Sequence, residues 1–370
     1  MSTAFDLLYS ETEEELRSAV RALLADRCAP AAVLARAETG RPHDPELWHT
    51  LAAEIGTAGL LVPEKLGGQG AGHREAAVVL EELGRAVAPV PYLTSAVLAT
   101  EILLGCDTVT AEVSGLLREL AAGRQVCAPA LPLTQAPGVP LPTAVRDTGG
   151  GILTGTVTSV ADAVAADVLL VLADTGLYAV PAAEVSLTAR VPLDLTRPLA
   201  TVTLEGAAGT LLADPATARA AVAGALLSGA GLLASEQLGL AEWCLTETVR
   251  HVRGRHQFNR PVGSFQALKH RLAQLWLDVA SARAAARAAA DALATGAPDA
   301  PLTVAVAQAY CSGVAVRAAE ECVQLHGGIG MTWEHPAHLY LKRAKADALT
   351  LGTPGHHHAL VADFAELPSP

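Results

Sequence analysis

The sequence has 370 residues and a formal net charge of -12, with 51% hydrophobic and 17% charged residues. A chain of this length can bury the cores of two or three domains, and its composition excludes a disordered protein. The acidic balance gives no overall attraction for nucleic acid, so we exclude that class of partner. Six scattered cysteines without a CxxC pair, and an acidic N-terminus unlike a signal peptide, predict a cytoplasmic location.

Helices are predicted for the first third of the chain, because apolar residues recur there at helical spacing. Asp44 and Pro45 are a typical N-cap and first helical residue, and Gly56 is a typical end of a helix. We expect residues 1–122 to form an N-terminal helical domain. Its predicted helices cover residues 11–28, 44–56, 73–89 and 93–105.

Short runs of β-branched residues broken by Gly, Pro and Asp predict strands in the middle of the chain. We expect antiparallel connections between them and a small barrel-like or sandwich-like β domain at residues 123–212. The predicted strands cover residues 150–160, 166–182 and 200–207.

Four long amphipathic segments with short connections predict a C-terminal four-helix bundle over residues 213–370. The apolar run at residues 226–245 is interrupted by Glu236 and Glu242, so we predict no membrane span. The predicted fold class is therefore mainly α with a central β domain. The four predicted bundle helices cover residues 215–256, 264–296, 301–327 and 335–352.

Arginine and amide side chains cluster at the end of the first bundle helix. Arg255, Gln257 and Phe258 precede a turn, and Ser264 is a candidate N-cap of the next helix. An arginine, an amide and an exposed helix N-terminus can together bind a phosphate or a pyrophosphate. The same residues also fit a plain connection between two helices with arginines on the surface.

The segment "QLHGGIG" at residues 324–330 is a second candidate binding element. Gly327 and Gly328 allow a backbone to approach a ligand closely, and Gln324 offers an amide donor. A GGxG sequence also serves as an ordinary helix end. Histidines surround the GGIG motif of this segment, but a metal site needs converging ligands with a carboxylate or thiolate, so we predict no metal site. These histidines are His326, His335 and His338.

Two C-terminal segments, "RHQFNRPVGSFQALKHRLA" and "QLHGGIGMTWEHPAHLYLKRAK", resemble the signatures of the FAD-dependent acyl-CoA dehydrogenases. The N-terminal segments "GLLVPEKLGGQGAG" and "LEELGRAVAPVPYLTS" are similar to the helical domain of that family. The order of helices, strands and helices fits as well, so the resemblance spans most of the chain. It implies the family's fold, FAD as cofactor, an acyl-CoA substrate and an electron-transfer flavoprotein as electron acceptor.

The resemblance also implies which residues contact FAD, and that a dimer or a dimer of dimers forms, because one FAD spans two chains in this family. One group of residues matches positions that hold the pyrophosphate and adenine half, usually of the neighbouring subunit's flavin: Arg255, Gln257 and Phe258. A second group matches contacts from the other side: Gln324, Gly327 and Gly328. Further positions in matched segments are Val262, Phe265, Gln266 and Thr353. Asn259 replaces a usual glycine and tolerates the same left-handed turn.

The catalytic base that the resemblance implies is absent. The family's reaction needs a positioned glutamate that removes the α-proton of the thioester while a hydride leaves the β-carbon for the flavin. An ungapped count from "GGIG" places this glutamate at Leu351, before Gly352 and Thr353, and a smaller subfamily's base falls at about Gly229. The Thr-Glu-Pro and Gly-Ser-Asp-like elements that contact the flavin ring are also missing from residues 127–143. We therefore predict no catalytic residue in this chain.

Three interpretations remain open. The chain is the base-lacking subunit of a heteromeric α2β2 acyl-CoA dehydrogenase, whose paralogous subunit supplies the base and the flavin-ring contacts. Alternatively it is a homomeric dehydrogenase with a relocated base, for which Glu236, Glu242 and Glu247 are candidates, although Glu247 can equally pair with Arg250 on the helix surface. The third interpretation is a scaffold or binding subunit without turnover of its own.

Overall fold

The computed structural model describes residues 7–367, and helices form the first third of this range. The predicted cap at Asp44 is confirmed, because its carboxylate accepts a hydrogen bond from the Leu47 amide at 3.0 Å. Gly56 ends that helical segment with a φ of 81°. The N-terminal segment was predicted to be unlike a signal peptide. Its first residues, 1–6, lie outside the described range. The helices are α1 (Glu11–Arg27), α2 (Pro30–Ala37), α3 (Pro45–His49), α4 (His73–Ala86), α5 (Thr100–Leu104) and α6 (Ala111–Ala121).

Strands in the middle of the chain form two sheets that face each other across one apolar core, which is a sandwich. With the strands numbered in chain order as given next, one sheet has the order β1-β4-β5-β8 and the other has the order β2-β3-β7-β6. The strands are β1 (Cys127–Pro129), β2 (Val145–Asp147), β3 (Ile152–Ala161), β4 (Val168–Ala173), β5 (Gly176–Pro181), β6 (Ser186–Arg190), β7 (Leu199–Ala208) and β8 (Thr210–Ala213). The domain boundaries at residues 122/123 and 212/213 stay a prediction.

The predicted strands pair antiparallel as expected, but β1, which was not among them, adds one parallel pair. β1 pairs with β4 in parallel, with Cys127 opposite Val168. Between them the chain crosses to the other sheet, where it forms β2 and β3, and then returns. A connection of that length can bring the chain back in the same direction, which a short hairpin cannot.

The C-terminal part is a helical bundle built on three long helices. They pack on one another, and α4 packs on the first of them. The predicted fourth helix ends at Asp347 and not at residue 352, because Leu351 and Gly352 take positive φ values of 55° and 110°. The elements are α7 (Pro215–Gly254), β9 (His256–Gln257), β10 (Arg260–Pro261), α8 (Gln266–Thr295), α9 (Ala300–His326), α10 (Ala337–Asp347) and α11 (Pro354–Phe364).

The central helices α7 and α9 are apolar because they lie inside the bundle. Each has a stretch long and apolar enough to cross a membrane, and 61% and 56% of these stretches are buried in the protein. Two glycines let α4 and α7 approach closely. A Cβ on Gly239 would lie 1.9 Å from the Glu81 carbonyl oxygen, and one on Gly84 would lie 2.1 Å from that of Glu236. Larger residues at these crossings would force the helices apart.

A buried cluster of five charged residues joins the sandwich to the bundle. Arg197, in the loop before β7, contacts Glu236 of α7 at 2.8 Å and Asp347 of α10 at 2.6 Å. Arg343 contacts Glu236 at 2.5 Å and also pairs with Asp194. Three carboxyl groups thus share two guanidinium groups. Burial and the charge of Glu236 raise the pKa of Asp347 to about 7.

Candidate active site

A two-residue hairpin follows the C-terminal end of α7 and positions the first group of predicted cofactor residues. Phe258 and Asn259 have φ values of 52° and 61°, the left-handed pair that a type I′ turn requires. Asn259 therefore adopts the conformation predicted for it. The Val262 amide donates to the Arg255 carbonyl at 2.8 Å, which closes the hairpin back onto the helix end. This arrangement places Arg255 and Gln257 beside the end of α9.

An open cleft of about 690 Å³ lies between this hairpin and the end of α9. Six predicted residues line it together: Arg255, Gln257, Val262, Gln324, Gly327 and Gly328. Gly327 has a φ of 64°, and no atom lies within 4 Å of a Cβ built on it or on Gly328. A ligand can therefore reach the backbone at this helix end. The structure thus brings together two segments that are nearly 70 residues apart in sequence.

The charge in the cleft suits an anionic ligand. Arg255 makes no ion pair within residues 7–367, whereas Arg271 in the same wall is held by Glu321 at 2.7 Å. The ring of His251 also lines the cleft, and burial together with the neighbouring charge of His326 lowers its pKa. A free guanidinium beside amide side chains and exposed peptide groups fits the pyrophosphate and adenosine half of FAD.

Four further residues predicted to contact the cofactor do not line this cleft. Phe258 lies at the hairpin tip with 84% of its surface exposed, and its ring makes an edge contact with Phe265 at 6.0 Å. Gln266 begins α8 and its amide reaches the His270 ring at 3.5 Å. Thr353 lies beyond Leu351, where its hydroxyl caps α11 by accepting from the His356 amide at 3.2 Å. Their assignment to FAD stays a prediction.

Ser264 is not the N-cap of α8, so that prediction is wrong. Residues 262–264 form a short 3₁₀ turn, and Phe265 occupies the cap position without a side-chain hydrogen bond. The turn places Ser264 one residue too early, and its hydroxyl is buried without a hydrogen-bond partner among the described residues. Sequence reasoning also missed His251 and Arg271 in the cleft. His251 lies one helical turn before Arg255, and that spacing could have identified it.

The second region is a small cavity of about 20 Å³ beneath Leu351. This volume holds about one water molecule and no acyl chain. The only polar side chain in its lining within the described range is Thr94, whose hydroxyl donates to Asp162 at 2.7 Å. The other carboxylate oxygen of Asp162 contacts Nε2 of His43 at 2.7 Å. The apolar lining comes from Leu98, Ile102, Pro129, Leu131, Pro132, Leu133, Ala161, Val222, Ala225, Leu226 and Leu351.

Both positions where a catalytic base was sought meet at this cavity. A Cβ built on Gly229 would lie 3.2 Å from Leu351 Cδ1 and 2.4 Å from Leu98 Cδ2. The Leu351 amide donates to the Leu133 carbonyl at 2.9 Å, and the Leu351 carbonyl accepts from the His357 ring at 3.0 Å. The backbone frame for a base is therefore present, and the side chains in it accept no proton.

The three glutamates considered as relocated bases are held elsewhere. Glu236 lies in the buried charge cluster, and Glu242 accepts from Arg283 at 2.6 Å. Glu247 accepts from Nε of Arg250 at 2.8 Å, as the i,i+3 spacing predicted. None of the three lines the cavity beneath Leu351. No carboxylate in the described residues lines that cavity, so its geometry offers no proton acceptor.

Family models and known proteins agree with this architecture. Residues 10–108 match the N-terminal domain of acyl-CoA dehydrogenases, and residues 219–365 match the C-terminal domain. The acyl-CoA dehydrogenase IpdE2 of Mycolicibacterium smegmatis is 38% identical over 346 residues, which cover 93% of this chain and 96% of that protein. The two domain models cover the helical parts, and the match to IpdE2 also includes the sandwich between them.

Solved structures extend the similarity across the whole chain. The ChsE4-ChsE5 complex of Mycobacterium tuberculosis contains a chain that superposes with a TM-score of 0.85 at 29% identity, covering 98% of this chain and all of that one. A variant of the Tcur3481-Tcur3483 steroid acyl-CoA dehydrogenase superposes with a TM-score of 0.84 at 29% identity, covering 96% and 98%. From the matched domains and these similarities, the chain belongs to the acyl-CoA dehydrogenase family.

Proposed function

We propose that this chain is the base-lacking subunit of a heteromeric, FAD-dependent acyl-CoA dehydrogenase. The observation that carries the proposal is the contrast between a wide cleft at Arg255 and a very small apolar cavity at Leu351. The first can hold a dinucleotide, whereas the second has neither a base nor room for an acyl chain. A paralogous subunit supplies the carboxylate and the flavin-ring contacts.

In this role the cleft residues bind the half of FAD that carries no redox chemistry. Arg255 donates to the pyrophosphate, Gln257 and Gln324 offer amide groups, and Gly327 and Gly328 let the backbone approach. FAD, when bound, supplies the acceptor for the hydride. This chain fixes the position of the cofactor across the interface and performs no proton transfer itself.

Heteromeric assembly is supported by the neighbours in structure. The ChsE4-ChsE5 complex and the Tcur3481-Tcur3483 steroid acyl-CoA dehydrogenase are each named for two chains. The second name supports a bulky CoA thioester, such as a steroid-derived one, as the substrate class. An electron-transfer flavoprotein as electron acceptor and a cytoplasmic location complete the proposal.

Co-expression with a paralogous acyl-CoA dehydrogenase subunit tests this function. We expect the chain alone to be colourless or poorly soluble, and the co-purified complex to be yellow with one FAD per heterodimer. Acyl-CoA should bleach the flavin only in the complex. Yellow protein from this chain alone, bleached by acyl-CoA, would establish a homomeric enzyme instead. A stable complex with flavin that never bleaches would establish a scaffold.

A further inference from the structure

A cluster of two histidines and a carboxylate lies behind the wall of the open cleft. Glu247 of α7, His326 at the end of α9 and His335 before α10 each offer a ligand atom, and these atoms lie within 4.8 Å of one another. They come from three separate elements. His326 is buried, with 5% of its surface exposed, and Glu247 and His335 are partly buried. Solvated surface charges do not account for such a convergence.

His326 is prepared as a ligand by its own hydrogen bond. Its Nδ1 lies 2.6 Å from the Cys322 carbonyl oxygen, which can only accept, so Nδ1 carries the proton. Nε2 is therefore the lone-pair nitrogen of the neutral ring. This atom is buried without a hydrogen-bond partner in the described residues, 4.0 Å from Oε1 of Glu247. An imidazole that donates one N–H to a backbone carbonyl and points the other nitrogen into a cluster is the usual arrangement of a metal-binding histidine.

We propose that Glu247, His326 and His335 bind a divalent transition-metal ion of the zinc type. Two imidazole nitrogens and a carboxylate oxygen are ligands that such an ion accepts, with a fourth position left for water. In a tetrahedral site neighbouring ligand atoms lie about 3.3 Å apart, given metal–ligand bonds of about 2.0 Å. The 4.0 Å between His326 Nε2 and Glu247 Oε1 thus needs to close by less than one ångström.

Two existing hydrogen bonds must adapt to the ion. Arg250 holds both oxygens of Glu247, but a carboxylate has enough lone pairs for Oε2 to keep its 2.8 Å bond to Arg250 Nε while Oε1 turns to the ion. The Ala337 amide donates to Nδ1 of His335 at 3.2 Å. The ion either replaces that amide at Nδ1 or turns the ring. His335 lies in the loop between α9 and α10, where such a turn displaces no buried core.

The site would join the three elements that form the wall of the cleft. Glu247 lies two helical turns before Arg255, and His326 directly precedes Gly327 and Gly328. An ion bound between them would hold the ends of α7 and α9 and the loop at His335 at fixed spacing. The role of the ion is thus structural, and the ion takes no part in the electron-transfer chemistry of the family.

The competing explanation is an ion pair without a metal. Burial lowers the pKa of His326, but its hydrogen bonds to Cys322 and the charge of Glu247 raise it above its usual value overall. A protonated His326 would then face Glu247 directly. The ring of His251, whose centroid is 4.2 Å from that of His326, adds a further neighbour that can carry charge. Metal analysis separates these two explanations.

The test is zinc binding to the full chain purified with its partner subunit. After treatment with a chelator and dialysis, the protein is titrated with ZnCl₂ and bound zinc is measured by mass spectrometry. We expect one zinc ion per chain, with affinity lowered more than about 100-fold in Glu247→Gln and in His326→Gln. Glu320→Gln and His338→Gln change the same side-chain types outside the cluster and should keep the ion. Cobalt in place of zinc should give visible absorption typical of four-coordinate sites in the wild type and in these two controls, but not in Glu247→Gln or His326→Gln.

Three outcomes overturn the proposal. Zinc that survives in His326→Gln but is lost in a His356→Gln/His358→Gln variant would show an adventitious ion on the histidines of α11. Absence of zinc at saturating ZnCl₂ would leave the ion pair as the explanation. Unchanged zinc affinity in His335→Gln would remove that residue from the site. His335 is only partly buried, so this variant is expected to fold, and circular dichroism of each variant checks that it does.

Discussion

The cleft beside Arg255 and the cavity beside Leu351 are built on the same helix, α7, and differ in almost every physical respect. The first is open, with a volume of about 690 Å³ and an unpaired guanidinium within the described chain. The second has a volume of only about 20 Å³ and is lined by aliphatic side chains and Thr94. The backbone frame of the family is present at both. Function therefore follows from the side chains placed in that frame, and not from the frame itself.

The cleft and the cavity also differ in how firmly the surrounding structure fixes their residues. The cleft lies at helix ends and on a hairpin, where exposed groups cost little to reposition. The cavity lies directly after α10, whose Asp347 belongs to the buried charge cluster, and the Leu351 amide is bonded to Leu133. A region of this kind resists the insertion of a polar group.

Leu351→Glu should have the largest effect, because it buries a carboxylate where no partner is available. Leu351 is 2% exposed, and apart from Thr94, whose hydroxyl is hydrogen-bonded to Asp162, the side chains that line the cavity are apolar. We expect a loss of at least about 3 kcal/mol in the free energy of unfolding at pH 7, measured by urea denaturation. Burial should raise the folded-state pKa of the new glutamate, so stability should fall as pH rises from about 4.3 towards that raised value.

Leu349→Glu is the matched control, since Leu349 lies two residues away and is 52% exposed. It should change the free energy of unfolding by less than about 0.5 kcal/mol. Equal stability of the two variants at pH 7 would mean that a charge at residue 351 reaches water or a cation.

The pH dependence of the buried charge cluster gives the next largest effect. The ordinary pKa of an aspartate is 3.8, whereas burial and the charge of Glu236 raise the pKa of Asp347 in the folded protein to about 7. The folded state therefore holds this proton more tightly, and its ionisation costs stability as pH rises from about 4 to about 7. In Asp347→Asn this cost is absent. We expect the difference in unfolding free energy between wild type and variant to change by on the order of 3 kcal/mol across that window.

Urea denaturation at several pH values between 4 and 8 measures that difference. Asp363→Asn alters an exposed carboxyl near the end of α11 and should follow the wild-type curve. A parallel pair of curves for wild type and Asp347→Asn would show that Asp347 is ionised throughout this pH range, and that the cluster tolerates three carboxylates beside two arginines.

Local chemistry explains which parts of the fold could be predicted from sequence. The predictions of a helix N-cap at Asp44 and a helix end at Gly56 were correct, because a cap and a left-handed glycine depend on neighbouring residues only. The parallel pairing of β1 with β4 was missed because it depends on where a long intervening segment goes. Ser264 was misjudged as a cap because a 3₁₀ turn moved the start of α8 by one residue.

The site was predictable to the extent that motifs encode it. Gln257 and Gln324 were assigned to one ligand from separate motifs, and the structure places both in one cleft. The meeting of Gly229 with Leu351 could not be read from the sequence, because it requires α7 and the segment after α10 to pack together. The convergence of Glu247 with two histidines was missed for the same reason, although each residue was noted separately.

Arg255→Ala should weaken FAD binding at the cleft without destabilising the packing around Leu351. A charge-assisted hydrogen bond to a phosphate contributes about 1.5–3 kcal/mol, so FAD affinity of the assembled complex should fall about 10- to 100-fold. Flavin absorbance per protein after gel filtration measures retention, and thermal unfolding of the flavin-free complex should be unchanged. Arg253→Ala is the matched control, because Arg253 is exposed on the same helix end and does not line the cleft. Full flavin retention in Arg255→Ala would remove this residue from the cofactor site.

The smallest effect is expected from a single methyl group placed at the small cavity. A Cβ on Gly229 would lie 2.4 Å from Leu98 Cδ2, so Gly229→Ala should cost about 1–3 kcal/mol through overpacking. Leu98→Ala should itself cost about 2–5 kcal/mol, but it removes the clashing methyl group. In that background the helix preference for alanine over glycine should make Gly229→Ala neutral or stabilising by up to about 1 kcal/mol.

The double-mutant cycle should therefore show a favourable coupling of about 1–3 kcal/mol between the two substitutions, measured by urea denaturation. Gly224→Ala is the control on the same helix, since nothing lies within 4 Å of a Cβ at Gly224, and it should be stabilising in both backgrounds. Additive behaviour of Gly229→Ala and Leu98→Ala would mean that the helix around Gly229 moves to admit the methyl group. The apolar packing at Leu351 would then be adjustable, and a base engineered at residue 229 could be accommodated where the native packing leaves no room.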